Sequence, residues 1–263
     1  QGRLSRKTRE AIEKALEAGI QVVAASGRSL DSLPADILAI SGIQYGITSN
    51  GAAVYRLSDR KCLKQCKLTK ESVREILKYT ERQETAFEAF IEGKPYAQKE
   101  YVEDPVRFGA THRAIPYIQS TREPVADMVS FIYDHQEILD CLDIVVKSEE
   151  KKKELWKTLR ENVKDVYITS SVTQLLEISH RDSGKEAGIR FLLEYLGLKR
   201  EGLAAFGDGD NDREMLSYAQ VGIAMENGSL ECKKAADWIA PSNENDGVAW
   251  GIEKLLEENQ SGL

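Results

Sequence analysis

No apolar run in this chain comes near the roughly 18 residues that a membrane helix needs, so a membrane-spanning role is set aside. The opening residues, QGRLSRKTRE, hold no apolar stretch of the kind a signal peptide carries. Cysteine is sparse. Cys62, Cys66, Cys141 and Cys232 match no zinc or redox spacing, and so few thiols in 263 residues suit a reducing cytoplasm. Histidine is sparser still: His112, His135 and His180 stand alone, without the spacing of metal ligands. Basic residues are not in excess either. Lys and Arg number 36 against 43 Asp and Glu, and the net charge of −7 argues against a general nucleic-acid binder. One further absence matters below: no aspartate precedes Asp31.

What is present reads as an α/β protein. Residues 4–18 form an amphipathic pattern, with Ser5 as N-cap, Ile12, Ala15 and Leu16 on one face and Gly19 as the stop. IQVVAA (20–25) predicts a strand buried on both faces. SGRSLDSLPADILAI predicts a helix, and YGITSNGAAVY a strand, a turn and another strand. The far end keeps the same rhythm. SGKEAGIRFLLEYLGL places Ile189, Leu192, Leu193 and Leu196 at helical period, and short strand and helix patterns then alternate to the end of the chain. Such alternation implies a parallel sheet.

The middle departs from it. From about Leu68 to about Ser171 the composition is more polar and aromatic, and strands and helices do not alternate strictly. The reading is a Rossmann-like core in two parts, 1–67 and 172–263, with an α+β domain inserted over 68–171. The two core parts are expected to share one sheet.

Three stretches carry chemistry. VVAASGRS ends an apolar strand in Ser26 and Gly27, where a hydroxyl and free N–H groups make an anion site; taken alone, Ser-Gly there is also an ordinary turn. In RDSGKEAGI, Ser183 and Glu186 have the spacing of a capping box, which puts Lys185 in the first helical turn against the macrodipole. A screened surface lysine or a phosphate partner both fit. AAFGDGDNDREM crowds Asp208, Asp210 and Asp212 into five positions at a strand's carboxyl end, where open α/β sheets bind ligands. Either solvent screens a Gly-Asp turn, or a cation such as Mg²⁺ sits among the carboxylates.

In order and spacing these stretches resemble the haloacid dehalogenase-like (HAD) hydrolases, specifically the Cof-type phosphatases with a large α+β cap. SGR, TSNGA, SGKEAG and GDGDNDREML match that family's motifs over nearly the whole chain, and VGIAMENG and AADWIAPSNENDGVA continue the match. The resemblance implies that Ser26 and Gly27 bind the transferring phosphoryl group and that Lys185 neutralises it. It also implies that Asp208 ligates Mg²⁺, that Asn211 contacts the phosphate, and that Asp212 supports the metal without binding it directly. Arg28 and Asn50 become candidates for substrate and cap contacts. The implied activity is hydrolysis of a small soluble phosphate, a sugar phosphate above all, through an aspartyl-phosphate intermediate.

The family's Asp-x-Asp-Gly-Thr motif, with nucleophile and general acid, would stand upstream of the helix that begins near Ser5, and residues 1–30 hold no Asp. Since residue 1 is Gln rather than Met, the expectation is that the motif and its strand precede Gln1 in the encoded protein, and that the 263-residue chain alone does not hydrolyse p-nitrophenyl phosphate. The alternatives are a phosphomutase of the same superfamily, or a regulator that binds a phosphorylated ligand without turning it over.

Overall fold

The structure, a computed structural model, describes residues 4–261. Helix α1 (Arg6–Glu17) starts where the Ser5 hydroxyl accepts the Thr8 N–H at 3.0 Å, and it buries Ala11, Ile12 and Ala15. Strand β1 (Val23–Ala25) follows. It is shorter than the sequence pattern suggested, and its residues are half-buried rather than enclosed on both faces. The stretch after it, expected as one helix, is a 3-10 turn and a single helical turn, α2 (Ala35–Leu38), separated by Leu33 and Pro34 in extended conformation. Proline there lacks the N–H that a continuous helix would need. The hairpin of β2 (Tyr45–Thr48) and β3 (Ala53–Arg56), then β4 (Lys61–Gln65), completes a four-stranded sheet in the order β1-β2-β3-β4. Only β1 and β2 run parallel in it.

The inserted region begins with α3 (Lys70–Thr80) and the hairpin β5 (Ala86–Ile91) and β6 (Lys94–Gln98). There follow α4 (Lys99–Glu103), α5 (Ile115–Thr121), β7 (Glu123–Val125) and α6 (Met128–Asp134). It closes with β8 (Leu139–Val145), α7 (Glu149–Asn162), β9 (Val166–Thr169) and β10 (Leu175–His180). The six strands form one sheet, β7-β6-β5-β8-β10-β9. It takes in β10, so it runs past Ser171, the limit drawn from composition. One face packs Phe87, Leu142, Ile144, Leu176 and Ile178 against α3, α6 and α7 in the largest apolar cluster of the molecule.

Chain order then returns to βα units: α8 (Lys185–Leu196), β11 (Ala204–Gly207), α9 (Arg213–Tyr218), β12 (Val221–Met225), α10 (Leu230–Lys234), β13 (Trp238–Ala240) and α11 (Gly247–Ser261). Strands β11, β12 and β13 make a parallel three-stranded sheet.

The expected single core sheet is therefore two. Strand β1 ends one and β11 ends the other, and no described strand pairs with either outer edge. The two sheets nevertheless occupy one layer. A cluster with α8 and α9 takes Val23, Ala25, Ile47, Ala205 and Ala224 from both, and a second, with α1 and α11, takes Val22 and Phe206. The ladder is interrupted while the sandwich around it is continuous. Among the described residues no helix is long and apolar enough to cross a membrane.

Candidate active site

Four loops converge at the carboxyl ends of β1, β2 and β11. After β2 the chain turns through Ser49 and Asn50, both at positive φ (49° and 52°), into Gly51 at φ 84°. A Cβ on Gly51 would stand 1.9 Å from the Gly184 carbonyl oxygen, so only glycine lets this turn reach the head of α8. The Gly184 N–H donates to the Asn50 carbonyl at 2.8 Å and locks the two loops together.

Gly184 itself, at φ 119°, is the residue before α8, and no side chain caps the helix. The capping box expected from Ser183 and Glu186 does not form. Gly184 makes the turn through its backbone, Glu186 pairs with Arg190, and the Ser183 hydroxyl is buried without a partner. Lys185 is still the first residue of the helix, and it is buried rather than screened at the surface. Its Nζ meets Asp212 Oδ1 at 2.5 Å, with both side chains 7% exposed.

Asp212 also organises its own loop. Its Oδ2 accepts the N–H groups of Asp208 and Gly209, each at 2.9 Å. Asp210 turns away and accepts the Ser229 hydroxyl at 2.5 Å. Among the described residues no three His, Cys, Asp or Glu side chains are grouped as cation ligands. Asp208 alone keeps an open carboxylate at the cleft, with Asn227 Nδ2 at 3.5 Å. Crowding by the loop, then the charge of Asp212, push its pKa up.

The remaining predicted residues gather at the same point. Asn211 Nδ2 donates to Asn50 Oδ1 at 3.0 Å, and both side chains are buried. The Ser26 hydroxyl accepts the Arg28 N–H at 3.1 Å, and the Ser26 carbonyl accepts from the Asn50 N–H at 3.1 Å. Gly27 has no room for a side chain, since a Cβ would lie 2.8 Å from Glu177 Oε1 and 3.1 Å from the Asn50 amide. Arg28 points the other way and stacks 4.4 Å from the centre of the Tyr117 ring in α5. Ser49 Oγ, Asn50 Nδ2 and Ser183 Oγ are buried there with no hydrogen-bond partner, which buried polar groups rarely tolerate.

Comparison with known proteins agrees with this layout. The family model described as haloacid dehalogenase-like hydrolase matches residues 1–252. The chain belongs to the haloacid dehalogenase-like hydrolases. Among curated relatives, the 5-amino-6-(5-phospho-D-ribitylamino)uracil phosphatase YwtE of Bacillus subtilis is 27% identical, over 96% of this chain and 92% of its own. The phosphatase YwpJ of the same organism is 26% identical, over 96% and 94%. A haloacid dehalogenase-like hydrolase from B. subtilis shares the fold with a TM-score of 0.81 at 24% identity, covering 95% of this chain and 93% of that one. A HAD subclass IIB sugar phosphatase does so with 0.79 at 19% identity, covering 96% and 92%. Strands β5 to β10 and their helices, inserted between the two core parts, are the candidate cap.

Sequence reasoning missed what this cap brings to the site. Glu177 touches the Gly27 loop, and Tyr117 holds Arg28. The signal was present in QLLEIS and CLDIVVK, where a single acid interrupts an apolar strand. An isolated carboxyl inside a buried strand has to face something polar.

Proposed function

We propose that this HAD hydrolase is a Mg²⁺-dependent phosphomonoesterase acting on a small phosphorylated metabolite, with a sugar phosphate as the leading substrate class. The observation that carries the reading is the buried Lys185–Asp212 pair, set beside Asn211, Asn50 and partnerless hydroxyls at the strand ends. A buried cation surrounded by unused donors suits an anion. Lys185 would neutralise the phosphoryl oxygens, and Ser26, the Gly27 N–H and Asn211 would orient them. The donor set fits a hard cation, because Asp208 presents an open carboxylate and Mg²⁺ needs only one or two of these beside phosphate oxygens and water. Asp208 would hold the ion and Asp212 would fix the loop behind it; when bound, Mg²⁺ screens the negative charge of the phosphate. Names of relatives and structural neighbours, phosphatases and a sugar phosphatase, support the same reaction class.

The nucleophile in this reading is an aspartate of the encoded protein upstream of Gln1, carried on a strand that pairs between β1 and β11. Two partnerless edges that share apolar layers on both faces support that placement. Closure of the cap excludes water, and an aspartyl-phosphate divides the ester hydrolysis into two displacements.

The test compares p-nitrophenyl phosphate hydrolysis by the 263-residue chain and by the protein extended with its encoded upstream residues, with Mg²⁺ saturating. Turnover in the extended protein only is the expected result. Equal kcat in both would place the nucleophile within residues 1–263, and an upstream segment without Asp-x-Asp would turn the reading to a ligand-binding regulator.

A further inference from the structure

The face of the cap sheet turned away from its apolar cluster carries a feature that phosphate binding does not use. Glu88 on β5, Asp143 on β8 and Glu177 on β10 stand directly opposite one another in register. All three are buried, at 1%, 2% and 4% exposure. Neighbours in such a row are about 5 Å apart, so the carboxyls span on the order of 10 Å, and like charges placed opposite destabilise a sheet.

Arg122 answers only one of them. Its Nε and Nη2 both donate to Glu88 Oε2, at 3.1 and 2.7 Å, and leave Glu88 Oε1 without a partner. Asp143 Oδ1 receives the Cys141 thiol at 3.1 Å. Glu177 Oε1 accepts the Ser171 hydroxyl at 3.1 Å, while Oε2 has no partner. The row ends at the proposed phosphate site, because Glu177 lies against Gly27 and Asn50. Two groups outside the acidic set repeat the signal. Asn50 Nδ2 and Ser179 Oγ, each 1% exposed, are also partnerless, and Ser179 is on the same face of β10, two residues beyond Glu177.

We propose that this row receives the leaving group of the phosphate ester and that this group carries an ammonium, as in an amino-sugar phosphate. The proposal rests on the phosphomonoesterase reading and names its substrate class. Glu88 has its cation in Arg122, whereas Asp143 has no ion pair and Glu177 feels Lys185 and Lys152 only at a distance, their ammonium groups bonding Asp212 and Ser170. A hydroxyl leaving group would supply donors without charge. An ammonium supplies both, with three N–H groups. Phosphate at Lys185 and ammonium along the row are then held at opposite ends of one sugar.

The experiment uses the full-length protein with glucosamine 6-phosphate, glucose 6-phosphate and p-nitrophenyl phosphate, reading phosphate release and the rise in Tm on adding each sugar ester. The expected result is a kcat/KM at least about tenfold higher for the amino sugar, with the larger Tm rise, and a ratio falling toward one in Asp143→Asn and in Glu177→Gln. Should Asp143→Asn fail to fold, Glu177→Gln carries the comparison. No preference in the wild type, or a ratio unchanged in the variants, overturns the proposal while p-nitrophenyl phosphate is still hydrolysed. Failure to hydrolyse any ester defeats the phosphatase reading instead. The Tm comparison then decides the amine preference by itself, equal shifts with the two sugars overturning it.

Discussion

The cap and the core are built from the same kinds of strand and are finished differently. In the cap, six strands pair without a break, and β5 and β8 are buried along their whole length. In the core, β1 and β11 end two separate sheets, and every residue of β1 is half-buried. The polar chemistry differs in the same sense. Core loops hold their charges where strands stop, whereas the cap buries a carboxylate row in mid-strand. The cap sheet carries three carboxyls in mid-strand on the face opposite its largest apolar cluster, while the core sheets put their charges at strand ends.

The largest expected effect separates the two regions by chemistry. Lys185→Met in the extended protein should lower kcat by about 10³-fold, the scale seen when a single charge-stabilising donor is removed. It also leaves Asp212 buried without its cation, which should cost about 3–5 kcal/mol of stability. Steady-state kinetics and urea unfolding measure the two parts. Near-normal kcat would remove Lys185 from the site.

Packing gives the next contrast. Leu142→Ala, in the fully buried face of the cap sheet, should cost about 2–5 kcal/mol by urea unfolding. Val23→Ala in β1 should cost under about 1.5 kcal/mol in the 263-residue chain, since that residue is already partly exposed. In the extended protein the Val23→Ala cost should rise toward that of the cap. If it does not, no strand pairs with β1 and the reading of its open edge is wrong.

Burial of the acid row has a pH signature. Burial first, then the charges of Glu177 and Glu88, push Asp143 well above the usual carboxyl range, and burial raises Glu177 too. Cys141 on the same strand, Arg122 and Tyr101 of α4 also act on this row. Raised carboxyl pKa values mean that the native state binds more protons than the unfolded chain. Stability from this source is full at acid pH and is lost as pH rises from about 4 through the raised values. Asp143→Asn should flatten that decline in a series of urea midpoints against pH. An unchanged slope would show that the row does not titrate as a buried set.

Much of this was legible in residues. Alternation located nearly every helix and strand after Ser183, because each short element there buries one face and ends in a turn. The grouping of the candidate residues was legible as well: Ser26, Gly27, Asn50, Lys185 and Asn211 come together. What failed depended on partners distant in sequence. Residues 20–25 look like a central strand, and apolar composition cannot say whether a neighbour on each side is there to pair. Ser183 and Glu186 have capping-box spacing, but Asn50, more than 130 residues away, takes the Gly184 N–H and changes the turn.

The smallest effects sharpen the comparison through the ends of single helices. Ser148 caps α7 of the cap by accepting the Lys151 N–H at 3.2 Å, and Ser5 caps α1 of the core in the same way. Ser148→Ala should cost about 1 kcal/mol. Ser5→Ala should reach the upper end of the range, about 2 kcal/mol, because that hydroxyl also donates to Asp246 at the head of α11 and so ties two core helices together. Differential scanning calorimetry reads both. If cap and core melt as separate units, Ser148→Ala shifts one transition and Ser5→Ala the other. A shift of one common transition by both would mean that the contacts of Arg28 with Tyr117 and of Glu177 with the Gly27 loop make cap and core a single cooperative body.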